Sequence, residues 1–283
     1  MFFYAKKGGA GMRKTRFLVY IITLFFISSL FFLPSVRALA ENTPCIASFS
    51  TRYNEKDGGR SENIRLSVSF IDGITLQAYG EFSFNQTVGK RTIERGFKEA
   101  KVIVSGEFVN GVGGGVCQVS TTLYNACLLA GLTVTEHHAH SLKVGYVAPS
   151  KDAMVSVCSD LKIFNPHPFP VRFSLTAKGG VLSVKIYGKG DGYTYETLSK
   201  TLGEIAPPPP IEKVGEREEI LREERAGIKS VLYLRRYKNG KLVSQKLLRS
   251  DEYRAIQGII VKKIPSGENK MLSNPCVFLK KML

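Results

Sequence analysis

The stretch "GVGGGVCQVSTTLYNACLLAGL" (Gly111–Leu132) decides how the chain reads. Four glycines lead to Cys117, and Cys117 leads into an apolar run. Val119, Leu123, Ala126 and Ala130 fall at i, i+4, i+7 and i+11, and Gly131 suits the position just past a helix end, so the spacing predicts a helix over Gln118–Ala130. Cys117 then sits at the helix start, where unpaired N–H groups and the macrodipole favour a thiolate over a thiol. Gly113, Gly114 and Gly115 lack a Cβ, so backbone can approach a substrate closely and aim N–H groups at a developing oxyanion. A glycine turn followed by a buried structural cysteine fits the same stretch.

The histidines bear on that choice. Three of the four lie in "EHHAHS", as His137, His138 and His140. Read as a strand, "LTVTEHHAHS" puts His138 and His140 on one face and His137 on the other. A cysteine on a helix N-terminus facing a strand histidine is the papain-like arrangement of nucleophile and base. Asp152 and Asp160 are both candidates to orient the base, and both also suit turn or cap roles.

Outward from this centre, "ASFSTRY" and "NIRLSVSFIDGITLQAYGEFSFN" alternate apolar and polar residues and read as short strands. More strands follow in "MVSVCSDLKIFN", "VRFSLTA" and "VLSVKIYG". The expected fold class is therefore α+β: mostly antiparallel strands around one main helix that carries Cys117 at its N-terminus, plus a small C-terminal β-rich module. Within 191–210, "APPPP" (Ala206–Pro210) reads as a stiff linker. Beyond it, "IEKVGEREEILREERAG" reads as a solvated helix. "SVLYLRRYKNGKLVSQKLLR" reads as a hairpin turning at Asn239-Gly240. No catalytic pattern stands out in this module, 211–283.

The N-terminus sets the compartment. "FLVYIITLFFISSLFFL" (Phe17–Leu33) is uncharged and follows a Lys/Arg cluster, and Ala38–Ala40 supply small residues of the kind a signal peptidase reads. Residues 1–40 are expected to be a signal peptide or an uncleaved membrane anchor, with Met12 opening a more typical signal. The remainder is expected outside the cytoplasm. The formal charge is +16, six units of it in residues 1–40, which leaves +10 on the rest. A basic exported chain suits anionic cell-wall polymers, not nucleic acid. Five cysteines, an odd count, leave at least one unpaired outside the cell. Cys117 and Cys127, about 15 Å apart along one helix, are too far apart to bond. No cysteine–histidine spacing suggests zinc, so neither metal nor cofactor is expected.

The ordered set "FSFN", "RT…RGF", "GGGVCQVSTTLYNA" and "H-x-HS" resembles the VanW domain family over about Cys45–Phe173, with the domain taken as 45–190. The tail is similar to G5-like segments. Ala139 stands where the family commonly has Pro, and Ser150-Lys151 replaces a Gly-containing turn before Asp152. The resemblance implies an L,D-transpeptidase of peptidoglycan with Cys117 as nucleophile and His140 as base, and Asp152 is taken to orient it. Gly113–Gly115 would hold the oxyanion. Arg91, Arg95, Gln118, Ser120 and His138 would line the substrate cleft, and peptidoglycan stem peptides would be the substrates. An NlpC/P60-like cysteine peptidase, a non-catalytic wall-binding module and a glycopeptide-resistance accessory protein are the alternatives.

Overall fold

The computed structural model describes Met1, residues 43–104 and residues 107–263. The expected signal or anchor over 1–40 lies outside the described residues, as does Cys276. Among the described residues, no helix is long and apolar enough to cross a membrane. The described residues from Thr43 to Lys263 belong to one compact unit.

The fold is β-rich, which corrects the α+β expectation of one main helix ringed by strands. Strands hold 46% of the described residues and helices 16%, in five sheets. Among the described residues there are three α-helices: α1 (Gly58–Ile71), α2 (Phe84–Val88) and α3 (Val116–Leu129). Helices α1 and α3 are each 14 residues long, so the cysteine helix α3 is not singular. The alternation in "NIRLSVSF" pointed to a strand, yet the segment is α1. Ser61, Ile64, Val68 and Ile71 share its buried face at helical spacing. Ser61 and Ser67 bury their hydroxyls by bonding to backbone carbonyls of Asn54, Glu55 and Asn63, so polar side chains occupy a core face.

The four-stranded sheet runs β1 (Cys45–Arg52), β9 (Val181–Gly188), β8 (Val171–Lys178), β2 (Thr75–Leu76), all antiparallel. Helix α3 packs on β1 and β9 and also touches α1. Their shared core holds Ile64, Val119, Leu123, Phe173, Val184 and Ile186, each fully buried. A small sheet orders β3 (Glu81–Ser83), β7 (Lys162–Phe164) and β6 (Thr133–Glu136). Beside it stands the pair β4 (Glu99–Val104) and β5 (Glu107–Val112).

The segment 191–210 contains β10 (Thr194–Ile205), ahead of the four prolines. Strand β10 pairs with β13 (Gly227–Lys238), which pairs with β14 (Lys241–Tyr253). Asn239 and Gly240 turn that hairpin with φ of +50° and +75°, the signs a type I′ turn needs. The charged run expected to be helical instead forms β11 (Ile211–Gly215) and β12 (Glu219–Arg222), which flank β15 (Ile259–Lys263). Strands β11 and β12 are largely exposed, which is where a charged strand costs least.

Candidate active site

The glycines place α3. Gly113 and Gly115 have φ of +92° and +105°, a region that disfavours any residue with a Cβ. Gly114 passes so close to β4 that a Cβ there would lie 2.6 Å from the Lys101 carbonyl oxygen. Asn63 of α1 locks the turn by donating from Nδ2 to the Gly114 and Lys98 carbonyls, at 2.9 Å each. The Gly113 N–H is committed to the Lys98 carbonyl at 3.0 Å. The N–H groups of Gly114, Gly115 and Cys117 have no acceptor among the described residues. Close packing therefore accounts for the glycines, and three donors remain open beside the thiol.

Cys117 occupies the first turn of α3 and is partly exposed. As a thiol, its Sγ donates to the Val155 carbonyl at 3.3 Å. Burial pushes the thiol up. The His140 ring, in hydrogen-bonding reach and carrying charge, outweighs burial, with help from the Val155 backbone and the Arg91 charge, so the thiol falls below its usual range. Burial likewise works against protonation of His140, but its bonds to Asp152 and Cys117 lift the ring to about 9. Both directions favour the same form of the pair, a thiolate beside an imidazolium.

The third member is Asp152, 1% exposed. Its Oδ2 accepts from His140 Nδ1 at 2.7 Å and from the His140 backbone N–H at 2.8 Å. Its Oδ1 accepts a short bond from the Tyr253 hydroxyl. Burial raises the carboxyl, but these donors win and hold it below its usual range. With Nδ1 bound to Asp152, Nε2 is the nitrogen left for sulfur. Asp160 serves elsewhere: it accepts from the Ser83 hydroxyl at 2.5 Å and from the Asn85 N–H at 2.8 Å, at the N-terminus of α2.

The other expected site residues separate into three groups. Arg91 lies near enough for its charge to lower the thiol, with Nη2 on Asn85 Oδ1 at 2.6 Å. Ser120 and Gln118 act from behind α3. Ser120 Oγ donates to the Ala153 carbonyl at 2.6 Å, fixing the strand of chain next to Asp152. Gln118 is buried and bridges the Thr51 hydroxyl, the Arg52 carbonyl and Arg60 Nη2. Arg95 and His138 are engaged with other partners. Arg95 caps the Val88 and Lys90 carbonyls, and His138 Nε2 pairs with Glu136 at 3.1 Å. Strand β6 stops at Glu136, so the period-two reading of "EHHAHS" fails there: His137 stacks on Tyr124, and only His140 turns to the cysteine.

Five residues with no local signature complete the site: Tyr146, Arg52, Arg60, Tyr253 and Arg249. Tyr146 is close enough to Cys117 for the sulfur's charge to help push its phenol up, after burial. It lines a cleft of about 470 Å³ with Arg52, Tyr53, Arg60, Gln118 and Thr51. No acid pairs with Arg52 or Arg60 among the described residues. Tyr253 and Arg249 reach Asp152 from β14, the latter donating to the Asp152 carbonyl at 2.8 Å. Among the described residues no cluster of three or more His, Cys, Asp or Glu side chains forms a metal site.

A family model described as VanW like protein matches residues 59–187. The uncharacterized protein YoaR of Bacillus subtilis is 40% identical over 147 residues, 52% of this chain and 48% of that protein. The vancomycin B-type resistance protein VanW of Enterococcus faecalis is 26% identical over 110 residues, 36% of this chain and 40% of that protein. The chain thus spans about half the length of the curated relatives it matches, or less. The crystal structure of HP0197-G5 is similar over 25% of this chain and 96% of its own, at 19% identity and a TM-score of 0.16. Cys117, His140 and Asp152 all fall inside residues 59–187, the part of this chain that is similar to the VanW like protein family.

Proposed function

We propose that the protein is a cell-wall acyltransferase acting outside the cytoplasm on peptidoglycan stem peptides, an L,D-transpeptidase that works through a thioester on Cys117. The E. faecalis relative is a vancomycin B-type resistance protein, which ties this kind of domain to glycopeptide resistance. The observation that carries the chemistry is the chain from the partly exposed Cys117 through buried His140 to buried Asp152.

The reaction needs no external energy, since the new amide inherits its free energy from an old one. Cys117 thiolate attacks the carbonyl of the third stem residue. The open N–H groups of Gly114, Gly115 and Cys117 receive the oxyanion. As the tetrahedral intermediate collapses, the C–N bond to D-alanine breaks, and His140 imidazolium gives its proton to the departing amine. The thioester remains, with His140 neutral. An acceptor stem amine then attacks, His140 takes its proton, and the C–S bond breaks. A 3→3 crosslink leaves, and the thiolate–imidazolium pair is restored. Arg52 and Arg60, lining the cleft without acid partners, bind stem carboxylates.

The test is incubation of the protein with tetrapeptide-stem muropeptides, followed by mass analysis of the products. Crosslinked dimers support transfer. Tripeptide stems alone would make it a cysteine peptidase. Unchanged muropeptides with undiminished wall binding would make it a binding module, for which Cys117→Ala changes nothing.

A further inference from the structure

Strand β14 supplies a residue to the site from outside the family domain. The family match ends at residue 187, yet Tyr253 lies 101 positions past Asp152 and donates a short bond to its Oδ1. Tyr253 is 1% exposed and also accepts from the Ser150 N–H at 2.7 Å. Ser150 sits at φ +61°, a left-handed conformation that suits glycine and that a serine adopts only when held. Its Oγ shares a 2.7 Å bond with Ser230 of β13. Arg249 of β14 holds the Asp152 carbonyl at 2.8 Å and is itself gripped by both oxygens of Asp251, at 2.6 and 2.8 Å. The next turn of chain is pinned as well: Ser199 of β10 donates to the Pro149 carbonyl at 2.6 Å, and the Arg254 N–H to the Ser141 carbonyl at 2.8 Å.

We propose that the β10–β13–β14 sheet is part of the catalytic device, with Tyr253 as the positioning residue that fixes the Asp152 carboxylate against His140. The physical reason is rotational. A carboxylate can turn about its Cβ–Cγ bond, and only one setting aims Oδ2 at both the His140 N–H and Nδ1. A donor on Oδ1 selects that setting. Ser150 and Ser230 hold the strained turn that brings Asp152 to Tyr253. This inference rests on the Cys117–His140 reading proposed above.

The groups that face this pair are Cys117 on α3, Tyr146 from the loop before Ser150, Tyr124 and His137 beside Arg249, and Asp251 behind Arg249. Tyr253→Phe removes one hydroxyl and none of these groups. The experiment is an NMR titration of the His140 ring in the full chain, with Cys117 alkylation rates on the same samples. In wild type the ring is expected to titrate near 9. In Tyr253→Phe it falls by about one unit, a tenfold loss of imidazolium preference, and alkylation at neutral pH slows to match, with the circular dichroism spectrum retained. Ser230→Ala, a milder change, shifts the ring in the same direction by less, and decides the matter if Tyr253→Phe does not fold. An unchanged or raised His140 titration in the folded variants overturns the positioning role while leaving the thiolate reading intact. A wild-type ring that titrates near 6.5 and ignores alkylation of Cys117 overturns both.

Discussion

One oxygen of Asp152, Oδ2, holds His140 at two points: Nδ1 at 2.7 Å and the backbone N–H at 2.8 Å. A carboxylate that grips ring and backbone together fixes both the place of the imidazole and its tautomer. The remaining nitrogen must then face outward, toward Cys117.

Asp152→Asn is expected to keep the fold and lose the chemistry. An amide cannot stabilise the imidazolium, and its NH₂ can invert the tautomer. Turnover on stem peptides should drop by roughly 10²–10⁴-fold, measured by product formation under saturating substrate. The His140 ring should titrate well below its wild-type value of about 9.

Rate should depend on pH as a bell. The thiolate form is needed for attack, so activity rises as pH climbs through the lowered Cys117 titration. The imidazolium form is needed to protonate the leaving amine, so activity falls as pH passes about 9. A profile of kcat/KM against pH checks both limbs. A single limb rising to pH 10 would show that His140 donates no proton.

Thiol labelling should sort the cysteines by environment. Cys127 is fully buried, and burial pushes its thiol far up, so it should label only after unfolding. Cys45 and Cys158 are exposed and should label by access. Cys117 should label fastest at pH 6, where thiolate is scarce elsewhere. Peptide mapping after brief iodoacetamide treatment gives the order.

The glycine turn should tolerate no side chain. Gly114→Ala places Cβ 2.6 Å from the Lys101 carbonyl oxygen and 2.8 Å from Ala100 Cβ. Gly115→Ala adds strain at φ +105°. Each should cost about 1–3 kcal/mol, read as a lower urea midpoint. Arg52→Gln, by contrast, changes an exposed side chain of the cleft, and should leave stability alone and raise KM for the stem donor about tenfold, the worth of about 1.4 kcal/mol of binding.

What could be read from the sequence follows from how local each signal was. Helix α3 and its cysteine were legible because glycines and the apolar repeat lie within one stretch of 22 residues. The Asn239-Gly240 turn was legible for the same reason. Helix α1 was hidden because Ser61, Asn63 and Ser67 fill its buried face and mimic a two-residue alternation. Strands β11 and β12 were hidden by their charge, and their partner β15 lies more than 35 residues on. His140 was singled out by its place before a serine, but the end of β6 at Glu136, which separates it from His138, has no mark in the sequence. Tyr253 could not be found at all: a contact spanning 101 positions leaves no periodicity, and tyrosine in a strand is ordinary.

The most direct test of the central claim is the rate of Cys117 alkylation by iodoacetamide as a function of pH, followed by mass spectrometry of the Cys117 peptide. The thiolate–imidazolium pair predicts substantial reactivity at pH 6 and 7, a second change as His140 deprotonates near 9, and a shift of the whole curve to higher pH in a His140→Gln variant. A single rise centred near 9, the same in wild type and variant, would mean an unpaired thiol and would contradict the account.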